Sequence, residues 1–140
     1  MTLKTIYQAN QGTAQALDQA LSVARAQVAV INKEKGWYDS ARTFGEDVAL
    51  LHSEVSEALE EFRAHKLGRG IRTASGDEVW SDGRYPAIEG KPLGVGSEMA
   101  DILVRLLDTC ERYDIDLGAE FRRKLAYNAT RPHRHGGKAL

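Results

Sequence analysis

The stretch Thr43-Phe44-Gly45-Glu46-Asp47-Val48-Ala49-Leu50-Leu51-His52-Ser53-Glu54-Val55-Ser56-Glu57-Ala58-Leu59-Glu60-Glu61-Phe62 decides the fold. Val48, Leu51, Val55, Leu59 and Phe62 recur at three- and four-residue steps, which lays an apolar stripe along one side of a helix. Thr43 with Glu46 three residues on has the form of a capping box and sets the helix start. The pattern runs out near His65 to Gly68. Glu54 and Glu57 sit one turn apart beside the stripe. A second stretch, Ser97-Glu98-Met99-Ala100-Asp101 through Tyr113, repeats this layout. Met99, Leu103, Leu106, Leu107 and Cys110 form its stripe, and Glu98 and Asp101 share a polar edge. Ser97 reads as the N-cap, which puts both acids in the first turn, where the exposed amide dipoles keep them ionised.

Four carboxylates facing one another across a helix pair repel, and a bound divalent cation removes the problem. Hard cations such as Mg2+ take carboxylates, waters and the phosphate oxygens of a substrate. The competing reading is a set of solvated acids on the outer faces of two amphipathic helices, since Glu is a good helix former and mostly exposed. Two such pairs on the two most amphipathic helices of a short chain weigh against it. No Glu is followed three residues later by His, which argues against a ferritin-like di-iron bundle.

Working outward, Leu17, Leu21, Ala24, Val28 and Ile31 predict a first helix from about Thr13 to Lys33. Lys33, Lys35 and Trp37 follow it, read as a substrate-contacting corner with Trp37 stacking on a nucleobase, or as solvated lysines beside an anchoring tryptophan. Between Leu67 and Gly96 lie seven of the thirteen glycines and two of the three prolines. This is a glycine-rich excursion with room for a short strand or hairpin at Glu78-Val79-Trp80, and Arg72, Trp80 and Lys91 are its residues to watch. Arg105 and Asp108 continue the polar edge of the second acidic helix as a solvated or intersubunit pair. Asp116 is a cap for a last helix from about Leu117 to Tyr127, which Arg131-Pro132 ends. The final twenty residues carry six Lys or Arg, two His and no acid.

At 140 residues, with 42% hydrophobic and 28% charged residues, the expectation is one soluble globular domain in a reducing, cytoplasmic location. A net charge of −1 gives no global attraction to nucleic acid or an acidic membrane. Cys110 is the only cysteine and falls on an apolar stripe, as a buried structural thiol does.

The runs His52-Ser53-Glu54-Val55-Ser56-Glu57-Ala58-Leu59-Glu60-Glu61, Glu98-Met99-Ala100-Asp101-Ile102-Leu103 and Lys124 through Lys138 together resemble the all-α nucleoside triphosphate pyrophosphohydrolases, the MazG-like group. The resemblance spans roughly residues 30 to 140. It implies hydrolysis of a nucleoside or deoxynucleoside triphosphate to the monophosphate and pyrophosphate, in the manner of nucleotide-pool cleaning. It also implies Mg2+, with Mn2+ able to substitute, held by Glu54, Glu57, Glu98 and Asp101. Lys124 and Asn128 would contact substrate, helped by Arg131, His135 and Lys138, and the protein would form homodimers or homotetramers. Members often carry a further Glu immediately before the first metal ligand, a candidate base, where this chain has Ser53. Water activation then falls to the metal itself or to Glu61, one turn beyond Glu57.

The expected fold is an all-α, four-helix-type bundle with the glycine-rich excursion before the second acidic helix. Two other readings stay open. One is a non-catalytic helical interaction or oligomerisation protein that binds neither metal nor nucleotide, and the weaker one is a nucleic-acid binder using the basic ending.

Overall fold

A computed structural model of the chain describes residues 11–132. Among them are four helices, α1 (Gln11–Glu34), α2 (Phe44–Arg63), α3 (Val95–Arg112) and α4 (Leu117–Thr130). Between α2 and α3 the chain forms three strands, β1 (Arg69–Arg72), β2 (Glu78–Ser81) and β3 (Lys91–Leu93). The fold is thus mostly helical with a small antiparallel sheet, rather than a pure four-helix bundle. Among the described residues no helix is long and apolar enough to cross a membrane.

Local chemistry accounts for most element boundaries. Thr43 caps α2 through a complete capping box: its Oγ1 accepts from the Glu46 amide at 3.3 Å, and Glu46 Oε2 accepts from the Thr43 amide at 2.7 Å. Asp116 caps α4, its Oδ1 accepting from the Ala119 amide at 3.0 Å. The start of α3 differs from the sequence reading. The N-cap is Gly94, at φ 97°, and Ser97 lies inside the helix with its hydroxyl donating to Pro92 O at 3.2 Å. A Cβ at position 94 would sit 2.6 Å from Gly68 O, so only glycine makes this corner.

The excursion is more ordered than a loop with one hairpin. Its strands lie in the order β2-β1-β3, with Arg72 opposite both Glu78 and Lys91 and Gly70 opposite both Trp80 and Leu93. A Cβ at Gly70 would fall 2.8 Å from the Trp80 ring, so the missing side chain is what lets the indole lie across β1. β3 carries Pro92 at its centre, which hides it from a strand reading. Proline is tolerated there because β3 is an edge strand.

Helix α3 is the hub: α1 and α2 both pack on it, α4 packs on α1, and β3 runs into its first turn. Ala29, Ala58, Leu107 and Cys110 are the buried apolar residues of the helices, and Ile71 and Leu93 those of the sheet. The apolar stripes of the two acidic helices bury only in part: Leu107 and Cys110 of α3 are buried, and the rest of the pattern is not. Val55, Leu59 and Phe62 of α2 remain 50, 47 and 56% exposed, and Met99 and Leu103 of α3 remain 56 and 46% exposed. On the polar edges of the same helices Asp47, Glu54, Glu98 and Asp108 are all buried. Burying acids while large apolar side chains face outward costs free energy unless the acids are paired and the apolar face is covered.

Candidate metal centre

The buried polar edge places Glu54 of α2 against Glu98 and Asp101 of α3. One carboxylate oxygen from each lies within 4.8 Å of the other two. Glu54 and Glu98 are 7 and 6% exposed. The group opens into a cleft of about 380 Å³, walled also by Glu57, Lys91, Arg105 and Asp108 and, towards the α1–α2 connection, by Asn32, Trp37 and Arg42. Glu57 is exposed and stands at the cleft outside the three-acid group.

Electrostatics make this a strained arrangement. Burial pushes the Glu98 carboxyl above the usual range, and the charges of Asp101, Glu57 and Glu54 add to the rise, with Lys91 opposing it. Burial likewise raises Asp101, reinforced by Glu54 and opposed by Lys91 and Arg105. The first-turn position of Glu98 therefore does not hold its carboxyl down; desolvation and like charge outweigh the helix dipole. The nearest compensation is Arg105, whose Nε lies 2.9 Å from Glu54 Oε1. Among the described residues no side chain or backbone amide donates a hydrogen bond to Glu98 or Asp101. Three converging oxygens with one guanidinium partner fit the ligand chemistry of a hard divalent cation.

A second buried acid on α3 is in a different state. Asp108 accepts from Asn32 Nδ2 and Tyr38 OH on Oδ1, both at 2.8 Å, and from Arg42 Nη2 at 3.0 Å and Arg112 Nε at 3.1 Å on Oδ2. Burial opposes its ionisation, but these donors win and hold its carboxyl below the usual range. Its partner Tyr38 is pushed up to about 12 by burial and by the Asp108 charge. Arg42 Nε also lies 2.9 Å from buried Asp47 Oδ1, though misaligned for a hydrogen bond. This network ties the end of α1 and the α1–α2 connection to α3 and builds the cleft floor. It replaces the solvated Arg105–Asp108 edge expected from sequence: Arg105 turns to Glu54, and Asp108 turns inward.

The structure gathers Glu54, Glu57, Glu98, Asp101 and Trp37 at one cleft. Glu61 does not line it; its Oε1 lies 3.7 Å from Lys66 Nζ. Ser53 faces out, its hydroxyl donating to Leu50 O at 2.8 Å, and His52 is exposed. Lys124, Asn128 and Arg131 are exposed and do not line the cleft. The reason is that α4 docks on the middle of α1, where Arg122 binds Asp18 and Gly118 presses against it, while the carboxylates lie at the other end of α3. His135 and Lys138 lie outside the described residues. Cys110 is buried as expected, and burial raises its thiol.

Sequence reasoning missed Asn32, Arg42, Arg105 and Asp108 as cleft residues. A signal existed for two of them. Asn32 continues the apolar repeat of α1 one turn after Val28, and Arg112 stands one turn beyond Asp108, an i,i+4 pair. A scan against family models, a search of curated proteins and a search of solved structures each returned no significant match.

Proposed function

We propose that the chain is a Mg2+-dependent nucleoside triphosphate pyrophosphohydrolase, of the MazG-like kind that its acidic motifs resemble. The observation that carries the reading is the convergence of Glu54, Glu98 and Asp101 within 4.8 Å at an open cleft. Opposed like charges held that closely cost free energy that a bound cation returns. Glu54, Glu98 and Asp101 would hold Mg2+, or Mn2+ in its place, and the ion would supply the charge that polarises the phosphate chain and lowers the pKa of the attacking water.

The chain's own residues do the rest. Glu54, Glu98 and Asp101 supply oxygen ligands. Glu57, at the cleft and outside the tight group, orients the water and takes its proton, a role for which Glu61, tied to Lys66, is badly placed. The water oxygen bonds to the α-phosphorus as the α-β anhydride bond breaks, and pyrophosphate leaves. Trp37, half exposed at the rim, offers a ring face for the base.

Self-association belongs to the same reading. Val55, Leu59, Phe62, Met99 and Leu103 leave the two metal-holding helices with an uncovered apolar flank, and a second copy of the chain completes a four-helix core there. That same flank is what favours the second reading, a helical oligomerisation protein without catalysis. The deciding experiment measures pyrophosphate release from a panel of standard, deoxy and damaged nucleoside triphosphates with Mg2+ or Mn2+. Metal-dependent turnover abolished by Glu54→Gln and Asp101→Asn supports the hydrolase. No release from folded protein with any nucleotide leaves the oligomerisation reading.

A further inference from the structure

The glycine-rich excursion has a defined product: it delivers one lysine to the metal cleft. Lys91 opens β3, opposite Arg72 of β1, and β3 ends only five residues before Glu98. Two glycines bracket the strand at points of close backbone approach. A Cβ at Gly90 would meet Arg72 O and the Ile71 side chain, and one at Gly94 would meet Gly68 O and the Trp80 ring. Leu93, buried in the sheet, anchors the other end. Lys91 is therefore positioned by a folded device rather than carried on a free loop.

The other cations near the cleft and sheet are already engaged. Arg42 is held by Asp47 and Asp108, and Arg105 by Glu54. On the sheet, Arg72 binds Glu78, and Lys66 lies between Glu61 and Glu78. Among the described residues the Lys91 ammonium has no hydrogen-bond or ion-pair partner, although it lines the cleft beside Glu98 and Asp101. Its charge opposes the binding of a bare cation. It suits a ligand that brings more negative charge than the metal neutralises, as a metal-bound polyphosphate does.

We propose that the three-stranded sheet exists to hold Lys91 as the phosphate-binding cation of the cleft, contacting the polyphosphate chain of the substrate. The proposal rests on the nucleotide-hydrolase reading above. It also gives the substrate charge a counter-ion from within the single chain, where Lys124 and Arg131 do not reach.

The test uses the full chain and the variants Lys91→Ala and Lys91→Arg, whose exposed side chain leaves folding intact as checked by circular dichroism. Binding of a non-hydrolysable α,β-methylene nucleoside triphosphate in saturating Mn2+ is followed by quenching of tryptophan fluorescence. Binding of Mn2+ alone is followed by electron paramagnetic resonance. Lys91→Ala weakens triphosphate binding about ten- to hundredfold, the range of a charge-assisted contact. It weakens monophosphate binding less, leaves Mn2+ binding unchanged or tighter, and Lys91→Arg restores most of the loss. Unchanged triphosphate binding in Lys91→Ala overturns the proposal while leaving the hydrolase reading standing, and so does an equal loss of Mn2+ affinity, which marks a structural role. Failure of the unmodified protein to bind any nucleotide removes the hydrolase reading and this proposal with it.

Discussion

Replacing Glu98 by Gln tests the central physical claim, that the cleft holds more negative charge than the protein alone can compensate. Glu98 keeps its shape in this change and loses its charge. With carboxylate oxygens within 4.8 Å, each like-charge contact is worth roughly 3 kcal/mol at an effective dielectric of about 20. Glu98 has two such neighbours, but Lys91 and Arg105 offset part of the repulsion and water at the open cleft screens more of it. The net expectation is that Glu98→Gln stabilises the metal-free protein by about 1–2 kcal/mol, a rise of about 3–8 °C in melting temperature. The sign follows from linkage. A carboxyl raised in the folded state contributes stability that is complete below its unfolded pKa and is lost as pH rises through the higher folded value, so the gain in the variant appears at neutral pH and vanishes in acid. Metal reverses the order: at a hundred times the dissociation constant, Mg2+ or Mn2+ stabilises the native chain by about 2.7 kcal/mol, and the variant by much less. The assay is thermal denaturation of both proteins at pH 7.5 and pH 4.5, with chelator or with Mn2+. A variant less stable than the native chain in chelator, or stabilised by metal to the same degree, refutes the reasoning.

Asp108→Ala removes a buried carboxylate with four donors and leaves Arg112 without its anionic partner and Arg42 with Asp47 alone, so a loss of about 3–5 kcal/mol in urea denaturation is expected; a loss below about 1 kcal/mol contradicts the network. Because the Asp108 pKa is lowered in the fold, its contribution is present above the unfolded carboxylate value and disappears as pH falls through the lower folded one, whereas Tyr38, raised to about 12, loses its contribution as pH rises from about 10 towards that value. Both limbs are read from stability against pH in the native chain and in Tyr38→Phe, which lacks the alkaline limb. On the proposed self-association, Leu59→Glu with Met99→Lys puts charge on the uncovered flank and is expected to give a sedimenting monomer where the native chain gives a dimer, without unfolding it; unchanged association places the interface elsewhere. Gly94→Ala forces a side chain at φ 97° against Gly68 O and costs about 1–3 kcal/mol, read from the same urea curves, with no loss sinking the account of that corner.

The sequence by itself determined what neighbours within a turn can settle. The four helices, the capping box at Thr43 and the side-chain cap at Asp116, and the one-turn spacing of Glu54 with Glu57 and of Glu98 with Asp101 all follow from local periodicity and short-range hydrogen bonding. The turn signals of residues 67–96 marked where the helices part, and Glu78-Val79-Trp80 was legible as a strand, but its partner β1 looked like linker and β3 hid behind Pro92. Only the tertiary structure decided which edge of the acidic helices turned inward. Periodicity distinguishes a polar edge from an apolar stripe, yet which one buries depends on what stands opposite: Arg105 meets Glu54 from 51 residues away, and Asn32 meets Asp108 across 76. Those long-range partners make buried acids tolerable on α2 and α3. They leave the stripe of Val55, Leu59 and Phe62 outside, and they divide two acids of the same helix into a satisfied Asp108 and an under-compensated Glu98.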